Sequence, residues 1–122
     1  MSEVFSDQSP GPSRLIRRED RHRMRVEGMS GELVTPSTAA LVRVAVWTLD
    51  VDGSSGPEPV TDRPGEECIL VVAGRLEVTL EEERYVLREG DSLTFSCGEP
   101  HRLRNVAAER TIVVVTHAPP NF

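Results

Sequence analysis

A chain of 122 residues, 38% of them hydrophobic, holds material for one core and one domain but not for two. Its formal net charge of −6 excludes nucleic-acid or membrane-surface binding by the chain as a whole. All 14 basic residues are arginine, which reads as compositional bias at most positions rather than as selection for anion recognition.

Residues 1–13, "MSEVFSDQSPGPS", are polar with two prolines near the end and read as a tail or linker, leaving 14–122 as the folded domain. The next stretch, "RLIRREDRHRMRVE", carries six arginines with Leu15, Ile16, Met24 and Val26. It shows no helical apolar stripe and predicts two short strands. Glu19 and Asp20 interrupt the basic run and no aromatic residue joins it, so a solvated strand face is the better reading than a nucleic-acid patch.

"LVRVAVWTLDV", Leu41 to Val51, is β-branched and predicts a strand. Its alternation puts Leu41, Arg43, Ala45, Trp47 and Leu49 on one face and Val42, Val44, Val46 and Thr48 on the other. "DGSSGPEP" breaks the chain. "ECILVVAG" is a further strand, and "RLEVTL" and "RYVL" flank "EEE" as a hairpin. "SLTF", "HRLRNV" and "RTIVVVTH" complete a series of short strands at close spacing, which predicts an antiparallel sandwich or small barrel. Both faces of "ILVV" and "TIVVV" are apolar and need cover on both sides, so a homodimer is expected.

The two cysteines, Cys68 and Cys97, lack C-x-x-C spacing. With no signal-peptide pattern and no apolar run near twenty residues, a reduced, cytoplasmic protein with no membrane contact is expected. Cys68 reads as core filler; Cys97, in a loop before His101, reads as a structural thiol with a redox role as the alternative.

Gly90, Gly98, His101 and Asn105 match the second cupin motif, G-x5-P-x-G-x2-H-x3-N, with Ser96 where its proline stands. Glu67 and Gly74 match the end of the first motif, G-x5-H-x-H-x3-E-x6-G, whose opening glycine is displaced to Gly56. The chain therefore resembles a single-domain cupin, an all-β jelly-roll barrel, from about Arg14 onward. "RPGEE", "PHRLRN" and "VVVTHAPPNF" are similar to the C-terminal sensor domain of XRE-type helix-turn-helix regulators. The first residues resemble the linker that precedes such a barrel. The resemblance implies either an excised fragment or a standalone relative, since thirteen residues cannot form a helix-turn-helix. DNA would then be reached only through a domain absent from this chain.

The two histidine positions of the first motif hold Thr61 and Arg63, so of four implied metal ligands only Glu67 and His101 remain, one short of a facial triad. Arg63 is always charged and cannot ligate. The expectation is a site with no metal or other cofactor, in which Arg63 turns inward, pairs with Glu67 and holds an anionic ligand; the alternative leaves Arg63 solvated. His117 reads as a surface or interface residue, with the alternative that it swings in from the last strand as a third ligand beside Glu67 and His101; His22 likewise reads as an ordinary residue. The expected ligand-binding residues are Arg43, Trp47, Arg63, Glu67 and His101, with Ile69 and Leu103 nearby. The expected function is small-molecule sensing for a transcriptional regulator. The alternative is a small cupin enzyme, an isomerase, epimerase or metal-dependent oxygenase, using Glu67 and His101. A barrel with no ligand is the third reading.

Overall fold

Strict apolar–polar alternation governs most of this chain, and the backbone follows it. The computed structural model describes residues 13–37, 41–62 and 64–119. Within them the strands are β1 (Arg23–Val26), β2 (Met29–Leu33), β3 (Arg43–Leu49), β4 (Glu66–Ala73) and β5 (Arg75–Leu80). They continue with β6 (Glu83–Arg88), β7 (Ser92–Ser96), β8 (His101–Asn105) and β9 (Thr111–Ala118). A six-stranded sheet in the order β1-β2-β3-β9-β4-β7 faces a three-stranded sheet β6-β5-β8, every pairing antiparallel. This is the expected all-β jelly roll.

One expectation fails near the start. The arginine-rich stretch forms a single 3-10 turn, Arg18–Asp20, followed by β1, not two strands. The hairpin partner of β1 is β2, "MSGEL", whose glycine and serine give a weak strand signal. Gly31 is there because Trp47 lies against it: a Cβ at Gly31 would stand 2.6 Å from the indole ring.

The inward faces of the two sheets meet in a core that includes Leu49, Ile69, Val71, Leu76, Val78 and Val113. Asn105 closes this core at one end. Its side-chain amide donates to the carbonyls of Leu49 (3.2 Å), Asp50 (2.9 Å) and Glu109 (2.8 Å). Its Oδ1 accepts from the Thr111 hydroxyl at 2.7 Å and the Ala107 N–H at 2.8 Å. The motif asparagine thus ties the ends of β3, β8 and β9 together. Gly74 turns the chain from β4 to β5 at φ +97°, where an L side chain is disfavoured and a Cβ would strike Thr111.

The segment 50–62 between β3 and β4 runs along the outer edge of β8 through bridges at Ser54–Arg104 and Val60–His101. It thereby carries Asp62 to the mouth of the barrel. The outward face of β4 leaves Leu70 and Val72 exposed, at 39% and 52%. No helix among the described residues is long and apolar enough to cross a membrane.

Candidate functional site

Strand register builds the site. Arg43 on β3 is the cross-strand partner of His117 on β9, His117 is the partner of Glu67 on β4, and Glu67 is the partner of Phe95 on β7. One row across four strands therefore carries a guanidinium, an imidazole, a carboxyl and an aromatic ring. The next inward row is Ala45, Val115, Ile69 and Leu93, of which Ala45 and Val115 form an apolar floor. Above that floor is a cavity of about 150 Å³, lined by Arg43, Trp47, Asp62, Glu67 and His117 together with Met24 from the edge strand. A benzene-sized molecule fits a cavity of roughly this volume.

Glu67 sits at its centre and is 8% exposed. Burial pushes its carboxyl above the usual carboxylate range; His101 pulls the other way and Asp62 adds to the rise. His101 lies behind this group. Its Nδ1 meets the Glu99 carbonyl at 2.8 Å and its Nε2 meets Asp62 Oδ2 at 3.5 Å. The carbonyl accepts only, so Nδ1 carries a proton and Nε2 faces the site. The Phe95 ring packs on the imidazole, centroids 5.0 Å apart.

His117 corrects the surface assignment drawn from the sequence: it is 6% exposed and lines the cavity. Its Nδ1 is hydrogen-bonded to the Pro119 carbonyl, while its Nε2 is buried with no hydrogen-bond partner among the described residues. The signal was present in the sequence, because alternation puts His117 on the same face as Val113 and Val115. Asp62 is the second residue missed; only the path of the preceding loop along β8 brings it in.

Of the expected site residues, Arg43, Trp47 and Glu67 line the cavity, and His101 stands beside Glu67 without lining it. Arg63, with its inward or outward direction, lies outside the described residues, whereas Thr61 is exposed. Ile69 and Leu103 belong to the closed core rather than to the cavity.

Cys97 is fully buried and its thiol donates to Glu67 Oε1 at 3.8 Å. Burial, with the Glu67 charge second, pushes its pKa up to about 12, so it is a poor nucleophile at neutral pH. A disulfide-type thiol reagent at pH 8 is expected to modify only Cys68 in the native protein and both thiols after denaturation, measured by released chromophore. Rapid labelling of Cys97 in the native protein would contradict this placement.

The metal that such barrels imply was tested against the donors present. Ligand atoms of Asp62, Glu67 and His101 lie within 4.8 Å of one another, as do those of Glu67, Cys97 and His117. Each imidazole has one nitrogen at a backbone carbonyl, the arrangement that leaves the other free to ligate. The orphaned Nε2 of His117 adds a donor that the motif positions do not contain. Each trio shares Glu67 and supplies three donors that fit a divalent transition ion, with Asp62, Cys97 and His117 standing outside the two motif positions.

Residues 45–117 match the family model for the cupin domain. The chain belongs to the cupin family. The HTH-type transcriptional regulator PuuR of Escherichia coli strain K12 is 27% identical over 124 residues, covering 100% of this chain. This chain spans 66% of that relative, just under two thirds of its length. Among solved structures, the cupin domain of an XRE family transcriptional regulator from Enterobacter cloacae matches with a TM-score of 0.68 at 18% identity. That match covers 78% of this chain and 100% of the other. A cupin-superfamily sugar phosphate isomerase from Silicibacter pomeroyi matches with a TM-score of 0.71 at 15% identity, over 88% of this chain and 76% of that one. Identities this low establish a shared fold and nothing finer. The chain is a cupin domain related to those of helix-turn-helix transcriptional regulators.

Proposed function

We propose that this cupin is a small-molecule sensor domain of a cytoplasmic transcriptional regulator, with the barrel cavity as its effector site. One observation carries the reading: the cavity at the barrel mouth is lined by both polar and apolar side chains and holds a buried imidazole nitrogen with no partner among the described residues. A buried polar atom without a hydrogen bond costs about 1–3 kcal/mol, which a ligand that supplies the bond recovers. Trp47 offers a flat apolar wall and Arg43 a cation. The raised pKa of Glu67 favours its neutral form, which donates a hydrogen bond instead of repelling an anion. These features together suit a small organic anion such as a short carboxylate.

The test is a thermal-shift screen of chelator-treated protein against small carboxylates, amino acids and polyamines. Saturable stabilisation by a member of the panel, without turnover, is the expected result, and a shift of several degrees follows at ligand concentrations about a hundredfold above Kd. A panel that shifts nothing overturns the sensor reading. DNA contact belongs, in this proposal, to a helix-turn-helix domain outside this chain, to which the barrel reports by a change in geometry between paired copies.

Two copies are proposed to pair through the outer face of β4, in the half of the six-stranded sheet away from β1, where Leu70 and Val72 are exposed. Val72→Arg is expected to convert the dimer to a monomer in size-exclusion chromatography with light scattering, with the melting temperature changed by only a few degrees. A monomeric parent would sink the pairing.

A second reading, metal-dependent catalysis, is favoured by the two donor trios that share Glu67, one with Asp62 and His101 and the other with Cys97 and His117. Elemental analysis of protein purified without a metal-affinity step separates the two. Near-stoichiometric iron, manganese, nickel or zinc would favour the enzyme, with one of these trios holding the ion.

A further inference from the structure

The back of the same sheet carries a second concavity, a groove of about 490 Å³ on the face turned away from the barrel cavity. Strand β3 serves both: Arg43, Ala45 and Trp47 look into the barrel, while Val46 and Thr48 form the floor of the groove together with Ile112 of β9. Its rim holds four arginines drawn from separate stretches of chain. Arg18 comes from the 3-10 turn, Arg21 and Arg23 from the approach to β1 and its first residue, and Arg110 from the position just before β9.

Glu32 is the one acidic residue that lines the groove, and it pairs with Arg21 at 3.3 Å. Four arginines against one glutamate leave a formal charge of +3 in a chain whose net charge is −6. Glu19, Asp20 and Glu109 are neighbours in sequence but do not line the groove. Among the described residues Arg18, Arg23 and Arg110 have no side-chain ion pair. Like charges held around one concavity repel one another, and an anion between them reverses the sign of that interaction.

We propose that this groove is a binding site for a small multivalent oxyanion, a phosphate ester or a tricarboxylate. Guanidinium forks match the oxygen spacing of both groups bidentately, and three of them suit a ligand with two or more negative charges. The hydroxyls of Ser30 and Thr48 on the floor supply neutral donors. The proposal is separate from the barrel cavity and stands whether or not that cavity is an effector site.

The structure also supplies a reporter. Trp47 is the only tryptophan, and its ring lies against Gly31, so an occupant of the groove sits one backbone thickness from the indole. The experiment titrates the full chain with tripolyphosphate and with citrate at about 50 mM salt, where screening is modest. Trp47 fluorescence and titration calorimetry are the readouts, and sulfate at matched ionic strength is the control. Saturable 1:1 binding of at least one of the two probes is expected. The double substitution of Arg23→Gln and Arg110→Gln is expected to weaken it about tenfold or more, since each removes a charge-assisted hydrogen-bonding group. Both arginines are exposed, so the double variant should keep the parent melting temperature, which is measured alongside. Glu67→Gln, inside the barrel, should leave binding unchanged. Tighter tripolyphosphate assigns the site to phosphate esters, and tighter citrate to tricarboxylates. Binding no stronger than sulfate, binding unaffected by the double substitution, binding lost in Glu67→Gln, or capture of duplex DNA but of neither probe would each overturn the proposal.

Discussion

Replacing Asn105 with alanine is expected to lower the stability of this cupin by about 3–5 kcal/mol and its melting temperature by about 10–20 °C. The fully buried side chain has five hydrogen-bond partners: its two N–H bonds are shared among the backbone carbonyls of Leu49, Asp50 and Glu109, and its Oδ1 accepts from Thr111 and Ala107. Alanine leaves all five partners behind and fills none of the space. Of those partners, Leu49 and Thr111 are fully buried and cannot turn to water. Thr111→Val removes a single member of the network and should cost about 1 kcal/mol. Denaturant unfolding of the two variants measures the difference. An Asn105→Ala protein within about 1 kcal/mol of the parent would mean that these bonds are no stronger than the water contacts they replace.

Glu67→Gln is expected to act in the opposite direction. The unfolded carboxyl titrates near 4.5, the ordinary value for glutamate, whereas burial makes the folded one hold its proton to higher pH. Between those two values the folded state binds more protons than the unfolded state, so stability is highest below the window and falls as pH rises through it. The amide carries no charge to desolvate at any pH. In the presence of a chelator, the variant should therefore match the parent near pH 4 and exceed it at pH 8 by about 1–3 kcal/mol. Parallel denaturation curves across that range give the result. A gain that grows toward low pH would show that the His101 and His117 side chains outweigh burial at this carboxyl.

The fold was legible because it depends on patterns that a sequence displays. Alternating residues marked β3, β5 and β9 almost to their ends, and the glycines with His101 and Asn105 identified the barrel. β2 escaped because Ser30, Gly31 and Glu32 separate its buried Met29 and Leu33, and the room that Gly31 makes for Trp47 is visible only once the two strands lie side by side. The site was half legible for a related reason. Glu67 and His101 stand at motif positions, and Arg43 and Trp47 stand out as large side chains on one face of an alternating strand. His117 looked ordinary because its importance comes from pairing with both Arg43 and Glu67, a register that no local pattern states. Asp62 depends on the path of a loop. Residues far apart in sequence meet here through hydrogen-bonded rows, and the row is the unit that sequence reading lacked.

The proline-containing segment between β3 and β4 has a bearing on self-association. A jelly roll leaves strand edges open, and an unprotected edge invites another chain to extend the sheet. Along β8 that invitation is withdrawn. The backbone of Leu103 is engaged by Ser55 from both sides, His101 and Val60 exchange two hydrogen bonds at 2.9 Å, and the Asn105 N–H reaches Gly53. The outer rim of this covering segment includes Pro57 and Pro59, which have no N–H to offer a further strand. A stretch that reads as a mere interruption of the β pattern thus acts as a selvedge, finishing the small sheet so that polymerisation cannot begin there.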